Sequence, residues 1–223
     1  MVEFATSNPV LASLRTIPLF EQVGSADLES IAANLIERRY PKNATIVEEG
    51  LAGDYMYVIR EGRVKVTKSS DDGREKIMDF LDAGAFFGEM SLLDQAPRSA
   101  SVKTMQPTRL WALSRRDFLE LLRQTPDLAL AVIQVLTQRL RETDEQASSM
   151  SFQGVTDRTR GLFERIARED PRGGPRRMTP ALTHQQIADM VGTSRETVTR
   201  AVKQLKQAGW LDQEGKRYVI PAS

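Results

Sequence analysis

Two clusters of side chains in this 223-residue chain could do chemistry. The first holds Gly88, Glu89, Met90, Ser91 and Leu92, followed by Pro97, Arg98, Ser99 and Ala100. Gly88 lets backbone approach a ligand closely and opens a short helical turn whose free amides favour an anion. Glu89 can accept hydrogen bonds from vicinal hydroxyls, while Arg98 and Ser99 offer a charged and a neutral donor to a phosphate. The same carboxylate and guanidinium would serve equally well as an internal salt bridge. The second cluster holds Thr193, Ser194, Arg195, Glu196, Thr199, Arg200 and Lys203. Arginine grips guanine O6 and N7 in a bidentate contact and glutamate accepts from cytosine N4, so these types suit the edges of base pairs. Lys203, Lys206, Lys216 and Arg217 suit phosphates, as do the hydroxyls of Thr183, Thr193 and Ser194. An ordinary solvated helix face would carry charges of the same kind.

Other chemistries are closed to this chain. It has no cysteine, which excludes disulfides, thiolate zinc sites, cysteine-ligated clusters and a cysteine nucleophile. Its single histidine, His184, cannot build a His-rich metal site within one chain. No phosphate-binding loop of the nucleotidase type and no nucleophile elbow is present, so neither an enzyme nor a metalloprotein is expected. Hydrophobic residues at 40% and charged residues at 27% argue for a folded chain rather than a disordered one. No apolar run reaches the ~18 residues that span a bilayer, and residues 1–15 lack a signal-peptide pattern. A cytoplasmic protein without membrane contact is expected. The net charge of +1 conceals a split: residues 151–223 carry thirteen basic and eight acidic side chains, net +5, leaving −4 on residues 1–150. A basic third on an acidic body suits a polyanion, although surface charge also varies by chance.

The elements that must position these clusters differ in period. Tyr55–Ile59, Val64–Thr67 and Ile77–Leu81 read as strands, as do Ala100–Thr104 and Thr108–Leu113. Gly62 and a turn over Asp71, Asp72 and Gly73 punctuate them, giving a small antiparallel barrel or jelly roll. Helical spacing begins after Ser114. Thr125 and Pro126 read as an N-cap and first helical residue, opening a helix to about residue 150. Along it Ile133, Leu136, Leu140, Thr143, Ala147 and Met150 fall at coiled-coil spacing, so it either pairs with a second copy or packs on its own barrel. Gly154 marks a hinge, Asp157–Ala167 reads as a helix, and Pro171–Pro175 as an exposed loop. Thr183 with Gln186, and Thr193 with Glu196, read as capping boxes of two short helices, separated by Gly192. With a hairpin over residues 210–220, they make a winged helix-turn-helix. The fold class is α+β, with residues 1–124 as sensor, 125–150 as dimerisation helix and 151–223 as DNA-binding unit.

Over about residues 15–220 the sequence resembles the cyclic AMP receptor protein branch of the CRP/FNR family of bacterial transcription regulators. Gly88–Leu92 with Pro97–Ala100 is similar to that family's phosphate-binding cassette, and Thr193–Arg200 to its recognition helix. The resemblance implies a cyclic-nucleotide effector, cyclic AMP first, held by Gly88, Glu89, Met90, Ser91, Arg98, Ser99, Thr143 and Asp144. Within that set it gives Glu89 the ribose 2′-hydroxyl, Arg98 and Ser99 the cyclic phosphate, and Thr143 the adenine amino group. Asp144 departs from the pattern, standing where cyclic-AMP-binding members usually place a serine. The resemblance further implies a homodimer reading TGTGA-like half-sites of double-stranded DNA through Arg195, Glu196 and Arg200, with RNA polymerase as a partner. A ligand-independent regulator, or one responding to cyclic di-GMP, would share these motifs.

Overall fold

Alternating apolar residues in the first half build two four-stranded antiparallel sheets in the computed structural model, which describes residues 9–21, 23–70, 75–170 and 176–221. Helix α1 (Pro9–Arg15), a 3-10 turn (Pro18–Phe20) and helix α2 (Ser25–Asn34) lead in. Strands β1 (Ile36–Tyr40), β2 (Thr45–Val47), β3 (Tyr55–Glu61), β4 (Arg63–Ser69), β5 (Glu75–Asp82) and β6 (Phe86–Phe87) follow. Helix α3 (Met90–Asp94) then interrupts before β7 (Ser101–Thr104) and β8 (Thr108–Ser114). One sheet runs β1-β8-β3-β6 and the other β2-β7-β4-β5. Leu110, Ile59 and Phe87 face the second sheet, meeting Val47, Val64, Leu81 and Val102. Their neighbours Trp111, Val58 and Phe86 face the helices. Strand β8 is thus buried on both faces, which is why Leu110 to Leu113 is a continuous apolar run.

Helices α4 (Arg115–Gln124), α5 (Pro126–Phe152) and α6 (Val155–Ile166) come next. Strands β9 (Arg168–Glu169) and β10 (Arg176–Met178), helices α7 (His184–Val191) and α8 (Arg195–Gln207), and strands β11 (Asp212–Glu214) and β12 (Arg217–Pro221) complete the chain. The fold is α+β, with antiparallel sheets, a long helix and a winged helix-turn-helix, as the sequence indicates. Two compact units, residues 1–139 and 140–223, divide within α5. Along α5, Leu128 and Val132 are buried in the first unit and Leu136 packs against them, whereas Leu130, Ile133 and Leu140 are exposed. No helix among the described residues is long and apolar enough to cross a membrane.

Several local expectations need correction. Thr125 precedes α5, but its buried hydroxyl caps nothing and has no hydrogen-bond partner among the described residues. Its ψ of 87° departs from the ψ near 155° of Ser114, Thr183 and Ser194, and its N–H closes α4 on the Leu121 carbonyl. The N-cap of α8 is Ser194, not Thr193, and the second capping box does not form. Thr193 is unavailable because its N–H, with that of Gly192, closes α7 on the Ala188 carbonyl. Helix α5 continues through Phe152, so only Gln153 and Gly154 separate it from α6, which starts two residues early at Val155 because Gly154 is its N-cap. The turn at Asp71–Gly73, the loop at Pro171–Pro175 and the side chain of Met150 lie outside the described residues.

On the second sheet Glu75 takes Lys65 Nζ at 2.6 Å and Lys103 Nζ at 3.0 Å. Burial pushes its carboxyl up, but hydrogen bonds from Lys65, Lys103 and Thr67 outweigh that and bring it down to about 2. Because the folded value lies below the unfolded one of 4.5, this contribution is present above pH 4.5 and is lost as pH falls toward 2. In urea unfolding followed across that window, Glu75→Gln is expected to lose less stability than the parent chain. Parallel losses would mean that the two lysines do not clamp the ionised carboxylate.

Candidate functional site

The first cluster is organised around Arg98. Its guanidinium is buried and donates from Nη1 to the Gly88 carbonyl at 2.6 Å and Ser91 Oγ at 2.8 Å. From Nη2 it donates to the Tyr55 carbonyl at 2.6 Å. These bonds leave the Nε hydrogen and one Nη2 hydrogen, the donors a planar guanidinium needs for an anion. Two glycines make room for it. A Cβ on Gly53 would stand 1.9 Å from Arg98 Nε, and one on Gly88 would stand 2.7 Å from Nη1. Gly88 also takes φ +83°, a backbone state side chains rarely adopt. Gly88 and Ser91 therefore position the arginine.

Glu89 is 2% exposed and pairs with an arginine, but not with Arg98. Arg139 of α5 reaches it, donating from Nη1 to Glu89 Oε1 at 2.9 Å and from Nη2 to the Phe86 carbonyl at 2.5 Å. The same guanidinium lies over the Phe86 ring, 5.0 Å from its centroid. Burial pushes the Glu89 carboxyl up and Arg139 works against that rise. Glu89 Oε2 is buried without any hydrogen-bond partner among the described residues. Leaving such an acceptor unmet costs about 1–3 kcal/mol, so a hydroxyl donor is the group it lacks. The sequence reading missed Arg139. Its signal was an arginine on the stripe Leu128, Val132, Val135, which otherwise packs on the core. Ser99 is exposed, with its Oγ 3.7 Å from Sδ of the exposed Met90. Thr143 and Asp144 are exposed on α5, beyond the first unit.

The second cluster lies wholly in the second unit. Thr183 and Gln186 form the capping box of α7, and Gly192, in the left-handed conformation, ends that helix. Val198, Ala201, Val202 and Leu205 turn α8 inward, leaving Arg195, Glu196, Thr199, Arg200 and Lys203 exposed on its other side. Its own N–H and the Ser194 hydroxyl hold the Glu196 carboxyl below the usual range, so it stands as a charged acceptor. Lys216 and Arg217 are exposed on the wing, where β11 and β12 pair across Gly215. Thr183 and Ser194 are exposed and Thr193 is half-buried. His184, which the sequence reading assigned no role, sits between the helices with Nδ1 2.8 Å from Thr199 Oγ1.

Both clusters fall within stretches that match known protein families. Residues 37–125 match the cyclic nucleotide-binding domain and residues 159–222 the Crp-like helix-turn-helix domain. The chain is similar to a CRP-like cAMP-activated global transcriptional regulator of Mycobacterium tuberculosis, 30% identical over 92% of each chain. It is also similar to a cyclic AMP receptor protein of Thermus thermophilus, 33% identical over 86% of this chain and 87% of that one. Among solved structures, the c-di-GMP responsive global regulator CLP of Xanthomonas campestris aligns with a TM-score of 0.73 at 27% identity, over 90% of this chain and all of the other. A nucleotide-binding β unit and a winged helix-turn-helix, matched together along most of the length of these regulators, show that the chain belongs to the CRP/FNR family of transcription regulators.

Proposed function

We propose that this chain is a cyclic-AMP-responsive regulator that binds palindromic TGTGA-like sites as a homodimer. The observation carrying the reading is the buried, unmet Oε2 of Glu89 beside a buried Arg98 held in a glycine-lined cradle. A cyclic nucleotide offers a ribose hydroxyl to the first and a phosphate to the second. Ser99 would add a neutral donor to the phosphate, Gly88, Met90 and Ser91 would shape the site, and Thr143, with Asp144 beside it, would meet the base. Residues 1–124 would sense, 125–150 would pair, and 151–223 would read DNA and act on RNA polymerase in the cytoplasm. The effector would act by unequal affinity for two arrangements of the dimer, one of which sets the recognition helices ~34 Å apart. The likeness to the c-di-GMP responsive regulator supports a second reading with that dinucleotide as effector.

The test is competition binding to half-sites varied over all four bases, with and without cyclic AMP, cyclic GMP or cyclic di-GMP. Cyclic AMP is expected to raise specific affinity most. Glu196→Ala is expected to relax preference at one base pair by ~1–3 kcal/mol. Lys216→Ala is expected to weaken all sequences alike and to lower the salt slope by about one per protomer. Unchanged affinity with every nucleotide would establish a ligand-independent regulator. A uniform loss in Glu196→Ala would remove α8 as the reader.

A further inference from the structure

Thr199 is an exposed residue on the recognition helix, yet its hydroxyl hydrogen is already committed. Its Oγ1 donates to the Arg195 carbonyl at 2.9 Å, one turn back. A carbonyl cannot donate, so this bond uses the single hydroxyl hydrogen. The 2.8 Å contact with His184 must then run the other way, from the imidazole Nδ1–H into the Thr199 oxygen. That fixes the tautomer of His184, and the ring, half-buried at the start of α7, holds Thr199 from outside its own helix. Lys203 and Lys206 line the same groove, which places the pair on the basic side of the helix. With its hydroxyl hydrogen and one lone pair taken up, Thr199 has no donor left for a base and presents its methyl group beside the remaining lone pair. In the major groove the one apolar feature of the four bases is the thymine C5-methyl.

We infer that Thr199 is a specificity-determining residue that reads a thymine methyl, and that His184 is the positioning residue that commits its hydroxyl. The inference rests on α8 being the DNA reader. It can be tested on duplexes that the protein itself selects from a random pool with cyclic AMP, with cyclic di-GMP and without nucleotide. Each thymine of the half-site is replaced in turn by deoxyuridine, which removes only the methyl. One position is expected to lose about fourfold in affinity, the size of one buried methyl group. In Thr199→Ser, which keeps both hydrogen bonds, that penalty is expected to vanish while other positions keep theirs. In His184→Ala it is expected to shrink. In His184→Asn, whose amide nitrogen takes the place of Nδ1, it is expected to return. Specific binding with no deoxyuridine-sensitive position, or a penalty that persists in Thr199→Ser, would overturn the inference while leaving the DNA-reading assignment intact. A pool that yields no enriched site with cyclic AMP, with cyclic di-GMP or without nucleotide would instead overturn that assignment, and this inference with it.

Discussion

Arg98→Leu is expected to lower affinity for cyclic AMP by about two orders of magnitude in calorimetry. A charge-assisted phosphate contact is worth about 1.5–3 kcal/mol, and more where water is excluded. Arg98 is 7% exposed, so its contact belongs at the upper end of that range. Leucine also withdraws the donors that meet the Gly88 and Tyr55 carbonyls and Ser91 Oγ, so part of the loss would reach the ligand through a loosened cassette. Two companions separate the effects. Arg98→Lys retains a charge without the planar fork and is expected to recover a fraction of the affinity. Gly53→Ala leaves the guanidinium in place chemically but drives a methyl group into it, and is expected to weaken binding without changing the charge. Full cyclic AMP affinity in Arg98→Leu would exclude the phosphate role.

The second large effect is expected on assembly. Leu130, Ile133 and Leu140 are 57%, 56% and 61% exposed on α5, and Ile133 and Leu140 stand one heptad apart. Large aliphatic side chains in one exposed row mark a contact surface rather than a solvated face. Leu140→Glu places a charge in the middle of the proposed seam, where no partner group awaits it. Since Leu140 is exposed on its own chain, the variant is expected to stay folded and lose its dimer, scattering light with the mass of one chain and melting somewhat earlier. A folded Leu140→Glu dimer would place the interface elsewhere. Loss of folding together with the dimer would mean that the chain folds only as it pairs.

Local features of this molecule were legible in its sequence, and features built across sequence distance were not. The box of Thr183 and Gln186 closes within four residues, so composition and spacing sufficed to find it. The cap of α8 shifted by one because Thr193 answers to the end of α7, a competition that a motif alone does not contain. Arg98 was visible as a site arginine, and Arg139 was not. Glu89 and Arg98 lie nine residues apart and invite pairing, whereas the protein joins Glu89 to Arg139 across fifty. Nothing in the sequence marks Gly53 as a cradle wall, since the arginine it admits arrives from a distant strand connection. Helices α1 and α2 were not anticipated, although Leu14, Leu28 and Ile31 are wholly buried.

The bond between Glu89 and Arg139 also dates the site within the life of the chain. Contacts of long sequence separation carry the largest loop-closure cost and form when most of the fold is already assembled. Synthesis proceeds from the N-terminus at about 5–20 residues per second, and domains fold as they emerge. Every strand of the two sheets, together with Gly53, Glu89 and Arg98, precedes Arg139 in the chain. A nascent β unit therefore holds its cassette carboxylate without its guanidinium until α5 has left the ribosome. The candidate site is completed by the very helix proposed to join two copies, so the proposed sensing and the proposed assembly would become available at the same moment of synthesis.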